Sequence, residues 1–291
     1  MKKQMLILAL GALATLGSCG GSANTPFDIA KNIAVLVRET GSGTKGAFLE
    51  ILGLKGKADP ANAITASSTA AILQEVGSNP YAIGYDSLGY VNDTVKKVNV
   101  DGVAATSATI KDGTYALSRP LNVIYKEATV NGSALYTDYL AFLGSKEVEE
   151  MAATDGYVAI HDSEAVYTKT ADYANGKITI SGSTSLQPLM IKIAAKYMTY
   201  HPEVKVEVSG GGSGTGYSNA EVGVSAFGMI SEEFNSAKAA SCTPYTVCKD
   251  GIALIVNLKN PIENITKQDL STLYNPDAET PITKWSELIK E

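Results

Sequence analysis

Short apolar runs recur along this chain, and most are followed by a turn of small residues and then by a stretch with one apolar face. The segment 32–51 (NIAVLVRETGSGTKGAFLEI) sets the pattern. Its apolar run predicts a buried strand over 33–37, a glycine-rich turn over 40–43 and an amphipathic helix from Thr44. The patterning then predicts a helix over 64–77, a short strand with tight turns over 80–90 and strands over 95–100 and 121–125. Amphipathic helical stretches follow over 133–142 and 146–152, and a short strand over 156–160. Residues 161–176 are polar and patternless, the best linker in the chain. After them the opening pattern returns: a strand over 177–180, a turn of hydroxyl residues over 181–185, a helix over 186–200, a strand over 204–208, the glycine run 210–216 with a short helix, and a strand over 225–230. A strand over 252–256, a helix over 266–274 capped by Thr266, and a last helix from Trp285 complete the series. Strands alternating with helices imply α/β domains with mainly parallel sheets.

Three of the turns follow strands and carry the same chemistry: 38–44, 182–185 and 211–215. A tight turn into a helix aims free N–H groups and the positive end of the helix dipole at one point, which makes an anion site. Arg38 adds a permanent charge with a planar donor fork, and Ser42 and Thr44 add hydroxyls. The order Gly43-Thr44-Lys45 is not the Gly-Lys-Ser/Thr of a P-loop, so the nucleotide reading fails at the lysine. No metal cluster, catalytic triad or suitably placed pair of carboxylates accompanies the turns, and no cofactor is expected. The pattern can hold an anion but has nothing with which to cleave a bond, so an enzyme is not expected. Trp285 and the fifteen tyrosines are scattered, and packing is their default role.

Composition narrows this further. The chain has 291 residues, 45% of them hydrophobic, enough for two modest domains or one large one, and its net charge is −6. An acidic chain is a poor nucleic-acid binder by bulk electrostatics, so no nucleic-acid partner is expected and the anion site must be built locally. Lys2 and Lys3 precede the apolar run 5–16, which ends in Leu16-Gly17-Ser18-Cys19, similar to a bacterial lipobox. On that reading 1–19 is a lipoprotein signal segment, Cys19 is acylated, and 20–25 is a tether. The expected address is extracytoplasmic, with membrane contact through the lipid anchor only. Cys242 and Cys248 remain, an isolated pair that an oxidising compartment would allow to close a small disulfide loop. No further Cys or His ligands lie near them, against zinc. His161 and His201 sit in polar stretches and are expected as solvated surface residues.

Several segments together resemble one family, the phosphate-binding proteins of bacterial phosphate ABC importers. They are ITISGSTSLQPL (178–189), VEVSGGGSGTG (206–216), DGIALIVN (250–257), Trp285-Ser286-Glu287, RETGSGT (38–44) and LSRPL (117–121). The resemblance covers nearly the whole chain after the leader. In the family the last two segments come last; here they come first. Reading from 177 to 291 and then from about 25 to 160 restores the family order, so the chain resembles a circular permutant in which 161–176 joins the old ends.

The resemblance implies a two-domain periplasmic-binding-protein fold (type II, Venus-flytrap) that closes on its ligand. Hinge crossings just before 250 and around 117–121 would give one discontinuous domain, 26–119 plus 250–291, and one continuous domain, 120–249. It implies Arg38 as charge partner, Ser42 as hydroxyl donor and Gly43 and Thr44 as N–H donors. These face Thr184, Ser185 and Ser213 across a cleft. Ser231, with Glu232 beside it, stands where some family members place an Asp that accepts the proton of hydrogen phosphate. A hydroxyl there rejects sulfate less forcefully than a carboxylate. The implied partners are inorganic phosphate and the permease subunits of an ABC importer, with the protein a monomer. Three readings compete: the same scaffold carrying sulfate, molybdate or tungstate; a phosphate-sensing or surface module without a transport role; and a phosphoester hydrolase, which would need an activating base or a metal.

Overall fold

The computed structural model describes residues 26–289. The expected signal segment, Cys19 and the tether lie outside the described residues. In chain order the elements are β1 (Ala34–Arg38), α1 (Gly43–Ile51), β2 (Ile64–Ala66), α2 (Thr69–Ser78), β3 (Ala82–Ser87), β4 (Val95–Val100), α3 (Ser107–Lys111) and β5 (Ser118–Tyr125). Then come α4 (Glu127–Asn131), α5 (Ala134–Leu143), α6 (Lys146–Thr154), β6 (Lys177–Gly182), α7 (Gln187–Tyr200), β7 (Lys205–Ser209) and α8 (Ser213–Val222). The chain closes with β8 (Phe227–Ile230), β9 (Thr243–Asn257), β10 (Asn264–Ile265) and α9 (Lys267–Tyr274).

One long antiparallel pair organises these elements. β9 runs for 15 residues; its second half lies beside β3 and its first half beside β5. The continuous path is β2-β1-β3-β9-β5-β8-β6-β7. At one end β2, β1 and β3 are parallel, and at the other β7, β6 and β8 are parallel. The antiparallel members are β9, against β3, β4 and β5, and β8 against β5. The expectation of mainly parallel sheets therefore holds for each end and fails at the centre. The expected strand over 252–256 covers only the apolar part of β9; residues 243–251 read as polar, and they join the strand because β5 supplies their partners.

The apolar core divides at that centre. One cluster gathers Leu36, Phe48, Ile72, Ile83, Leu254 and Trp285; a second gathers Val123, Phe142, Ile178, Ile193, Met229 and Cys248. A third, small one holds Ile124, Tyr217, Ile230 and Cys242 on the other face of β5 and β8, as the two-residue period of a strand requires. Val158 packs with the first cluster although its neighbour Tyr157 packs with the second, so the chain touches the first lobe again between β5 and β9. The lobes meet where Arg119 on β5 lies opposite Asp250 on β9.

Several local expectations need correction. The stretch 64–77 is not one helix. Ile64 and Thr65 are β-branched and pair with Leu36 and Val37, and α2 starts only after Ser68, whose side chain accepts from the Ala71 N–H. The 156–160 strand reduces to a single bridge, Val158 to Lys249. The last helix is one 3₁₀ turn, Trp285–Glu287. Residues 161–176 lack regular structure but are not free: the Tyr167 and Thr170 hydroxyls both donate to the Asp138 carboxylate. His201 is buried beside them, its Nε2 meeting the Tyr167 hydroxyl at 2.6 Å, and is no surface residue. His161 is exposed as expected, and stacks on Tyr245. Cys242 and Cys248 are free thiols. They lie along one extended segment six positions apart, about 20 Å at strand rise, far beyond disulfide reach.

Candidate functional site

Four helices begin at the junction of the lobes: α1 and α2 from the first, α7 and α8 from the second. Each N-terminus carries about half a positive charge and amides that precede the first intrahelical bond. In α1, Ser42 is the N-cap; its Oγ accepts from the Lys45 N–H at 3.3 Å, and the helix ladder starts only at Gly46. The amides of Gly43 and Thr44 therefore point out of the helix end. Before α7, the Ser183 Oγ takes the Ser185 and Leu186 N–H groups, each at 3.2 Å, which leaves the Thr184 and Ser185 hydroxyls for the junction. Before α8 the backbone turns through Gly211 (φ 129°) and Gly212 (φ 83°), conformations that favour glycine. Two further glycines let the lobes touch: the Gly214 N–H donates to the Gly41 carbonyl at 2.9 Å.

The hydroxyls form two sets at the junction, one spanning both lobes and one on the second lobe, with Arg119 reaching both. Thr44 Oγ1 meets Ser185 Oγ at 2.9 Å, and Thr69 Oγ1 meets Thr184 Oγ1 at 3.1 Å and Ser185 Oγ at 3.3 Å. Ser213 Oγ meets Ser231 Oγ at 3.3 Å and accepts from the Ser231 N–H at 3.1 Å. Gly43 lies against the same pair, close enough that an added Cβ would stand 2.3 Å from Ser213 Oγ.

Arg38 ends β1 at the edge of this set and is 1% exposed. Its Nη1 donates to Thr69 at 3.2 Å and its Nη2 to Thr184 at 3.0 Å, one on each lobe. Its other face forms a two-pronged pair with Glu39, both bonds 2.9 Å. Arg119 approaches from the hinge side, donating to Ser185 Oγ and to the Ser231 carbonyl and pairing with Asp250 at 3.0 Å. Burial raises the Asp250 carboxyl above its ordinary range; Arg119 and the Ser87 hydroxyl pull it back. Asp86 next to Ser87 is also fully buried, and desolvation holds its pKa well above the usual carboxylate value.

Of the residues marked in the sequence, Arg38, Gly43, Thr44, Thr184, Ser185, Ser213 and Ser231 come together. Ser42 stands at the helix cap with them. Glu232 does not join the ring: its carboxylate pairs with Lys238 at 2.6 Å and lies against Gly46, one turn along α1. Sequence reasoning missed Thr69, Arg119 and Asp250. Thr69 was hidden inside the expected 64–77 helix. Arg119 and Asp250 stood in segments already singled out, LSRPL and DGIALIVN, but as hinge markers rather than as site residues.

Two α/β lobes joined by an antiparallel strand pair, meeting at a junction of helix N-termini, hydroxyls and arginine, define a two-lobed solute-binding protein. A family model described as a PBP superfamily domain matches residues 24–147 and 165–291. Phosphate-binding protein PstS 2 of Streptococcus agalactiae serotype V is 32% identical over 298 residues, covering 99% of this chain and 99% of its own. A crystal structure of a phosphate ABC transporter phosphate-binding protein from Streptococcus pneumoniae superposes with a TM-score of 0.69 at 31% identity, covering 89% of this chain and all of that one. Phosphate-binding protein PstS of Bacillus subtilis is 32% identical over 123 residues, 41% of this chain and 40% of its own. The chain belongs to the PstS family of the PBP superfamily, the substrate-binding proteins of phosphate ABC transporters.

Proposed function

We propose that this protein captures inorganic phosphate between its two lobes outside the cytoplasm and presents it to the permease subunits of an ABC importer. The observation that carries this reading is the ring formed by Arg38, Thr44, Thr69, Thr184, Ser185, Ser213 and Ser231. Donors from both lobes meet around one arginine, at four helix N-termini. Such a set recognises a tetrahedral oxyanion by many short hydrogen bonds, and closure is favoured because the ligand bonds to both lobes at once. Arg38, Ser42, Gly43, Thr44, Thr184, Ser185, Ser213 and Ser231 act as ligand groups, and Thr69 joins them. Glu232 serves the rim rather than the ligand, since Lys238 already holds its carboxylate.

A hydrolase reading is disfavoured by the position of the histidines. His201 closes the far end of α7, about 20 Å of helix from Ser185, and His161 faces Tyr245 at the surface. Another oxyanion remains the competing ligand, because Ser231 brings a hydroxyl rather than a carboxylate. Calorimetric titration decides between them. Protein starting after Cys19 and stripped of ligand is expected to bind phosphate one to one, with excess sulfate failing to displace it. Equal binding of sulfate moves the reading to a general oxyanion carrier, and no binding of either removes it.

Two further parts of the reading stand on sequence. Cys19 carries a lipid that holds the protein at the membrane surface; among the described residues no helix is long and apolar enough to cross a membrane. The chain is permuted relative to those family members whose segments run in the other order. The partial alignment with the Bacillus relative supports this, since two chains in different order can align along only one exchanged segment, and the Streptococcus relative, aligned over its full length, shares the order of this chain.

A further inference from the structure

Arg119 was not among the residues marked as ligands, yet it touches two of them. Its Nη2 donates to Ser185 Oγ at 3.2 Å and its Nη1 to the Ser231 carbonyl at 3.1 Å. Its Nε and Nη2 both reach one oxygen of Asp250, at 3.4 and 3.0 Å. The arginine side chain is 1% exposed and that of Asp250 is fully buried. Arginine donates only, and it stays charged at every accessible pH. A hydroxyl that accepts from it keeps its own proton to give, and must give it away from the arginine. Around Ser185 Oγ the other partners are Thr44 Oγ1 and Thr69 Oγ1, which both belong to the ring. Tyr157 fixes the same residue from behind, its hydroxyl donating to the Ser185 carbonyl at 3.1 Å. Arg119 and Asp250 are also opposite residues on the two strands that join the lobes. One buried ion pair thus ties the hinge to the second lobe's share of the ring.

We propose that Arg119, held by Asp250, is a positioning residue of the anion site: it keeps Ser185 oriented as a donor into the cleft and anchors the Ser231 strand end on the hinge. The inference rests on the phosphate-binding reading above. It assigns Arg119 no contact with the anion; that belongs to Arg38.

The test is a cycle of four proteins titrated calorimetrically with inorganic phosphate near neutral pH: wild type, Ser185→Ala, the double variant Arg119→Gln/Asp250→Asn, and the triple variant. The double variant removes both charges together, because a buried carboxylate left without its arginine would unfold the hinge for unrelated reasons. Should it still fail to fold, Arg119→Lys takes its place, keeping the charge but not the fork. Ser185→Ala and the double variant are each expected to weaken binding about tenfold, the order of one hydrogen bond to a charged group. The triple variant is expected to bind no more than about twofold more weakly than the double. Losses that multiply, or a double variant within about twofold of wild type, overturn the proposal and leave the phosphate reading intact. A purely structural role lowers the melting temperature without coupling to Ser185. A ligand-free readout separates the two readings. Amide hydrogen exchange at Ser185 and Leu186 is expected to speed about tenfold in the double variant, with β4 unchanged. Unchanged exchange there overturns the proposal even if the wild type takes no phosphate, which by itself would defeat only the phosphate reading.

Discussion

At the scale of single residues, the site depends on where each donor is already committed. Arg38 spends one face on Glu39 and offers the other to Thr69 and Thr184, so its fork bridges the lobes. Removing one partner of a buried, hydrogen-bonded charge pair costs about 2–5 kcal/mol. Arg38→Ala is therefore expected to weaken phosphate binding by at least about thirtyfold while the far-ultraviolet circular dichroism stays native; wild-type affinity in that variant would refute the site. Asp86 makes a different prediction. Burial keeps its pKa well above the ordinary 3.8, so the folded chain holds a proton that the unfolded chain has released. The unfolded state then binds fewer protons, and stability falls as pH rises from about 4 toward the raised value. Asp86→Asn keeps an acceptor for the Ser87 N–H, bonded at 2.8 Å, and removes the titration. Urea midpoints at pH 5 and pH 8 are expected to fall more in wild type than in the variant, and the variant is expected to be the more stable at pH 8.

At the scale of elements, helix ends are where the lobes meet, and two glycines of α1 show how closely. A Cβ on Gly43 would stand 2.3 Å from Ser213 Oγ and 2.9 Å from Ser231 Oγ, both buried and both on the other lobe. A Cβ on Gly46 would meet only the end of the Glu232 side chain, at 2.6 Å, which can rotate away. Opening the lobes relieves the first clash entirely. Gly43→Ala is therefore expected to weaken phosphate binding about tenfold or more with little change in melting temperature, whereas Gly46→Ala stays within about threefold. Equal effects at the two positions would show that closure is not limited by this contact. Legibility in the sequence follows the same line. The Arg38–Thr44 turn, the Thr184–Ser185 turn and the glycine run are contiguous segments whose cap and turn chemistry is local, and each was readable. The break between β2 and α2 was not, because Ile64–Ala66 becomes a strand only by pairing with β1, and so Thr69 escaped notice. The polar half of β9 was missed for the same reason: its partner, β5, lies more than a hundred positions away.

For the whole molecule, the two ends of the described chain lie side by side. Ile33 donates to the Thr283 carbonyl at 2.8 Å, Ser286 donates to the Ile29 carbonyl at 2.7 Å, and Asn32 bridges Lys284. Neither end enters the ring of donors. A chain rebuilt to start at residue 177 and end at 160, with 289 joined to 26 by a short linker, is expected to bind phosphate within about threefold of the present one. A large loss would make the order of segments part of the function. Stability is expected to drop in the rebuilt chain, because Tyr167 and Thr170 no longer reach the buried Asp138, and a urea midpoint equal to that of the present chain would show that this strap contributes nothing.

What the sequence determined by itself was the set of strand–turn–helix units and the donor character of three turns. Helix caps, glycine turns and apolar runs act over a few residues, and their physics is complete within the segment. Family resemblance added the expectation of a two-lobed solute-binding fold, with boundaries proposed near 119 and 250. Only the tertiary structure decided which donors face one another, that Arg119 and Asp250 form a buried pair behind them, that Glu232 is held by Lys238 at the side, and that Cys248 lies in β9 with Cys242 just before it. The first two depend on pairing and burial between residues distant in the chain, and the last two, though each joins residues only six positions apart, on how the strands around them run. Such contacts appear only when the sheet has placed its strands and water has been excluded between them.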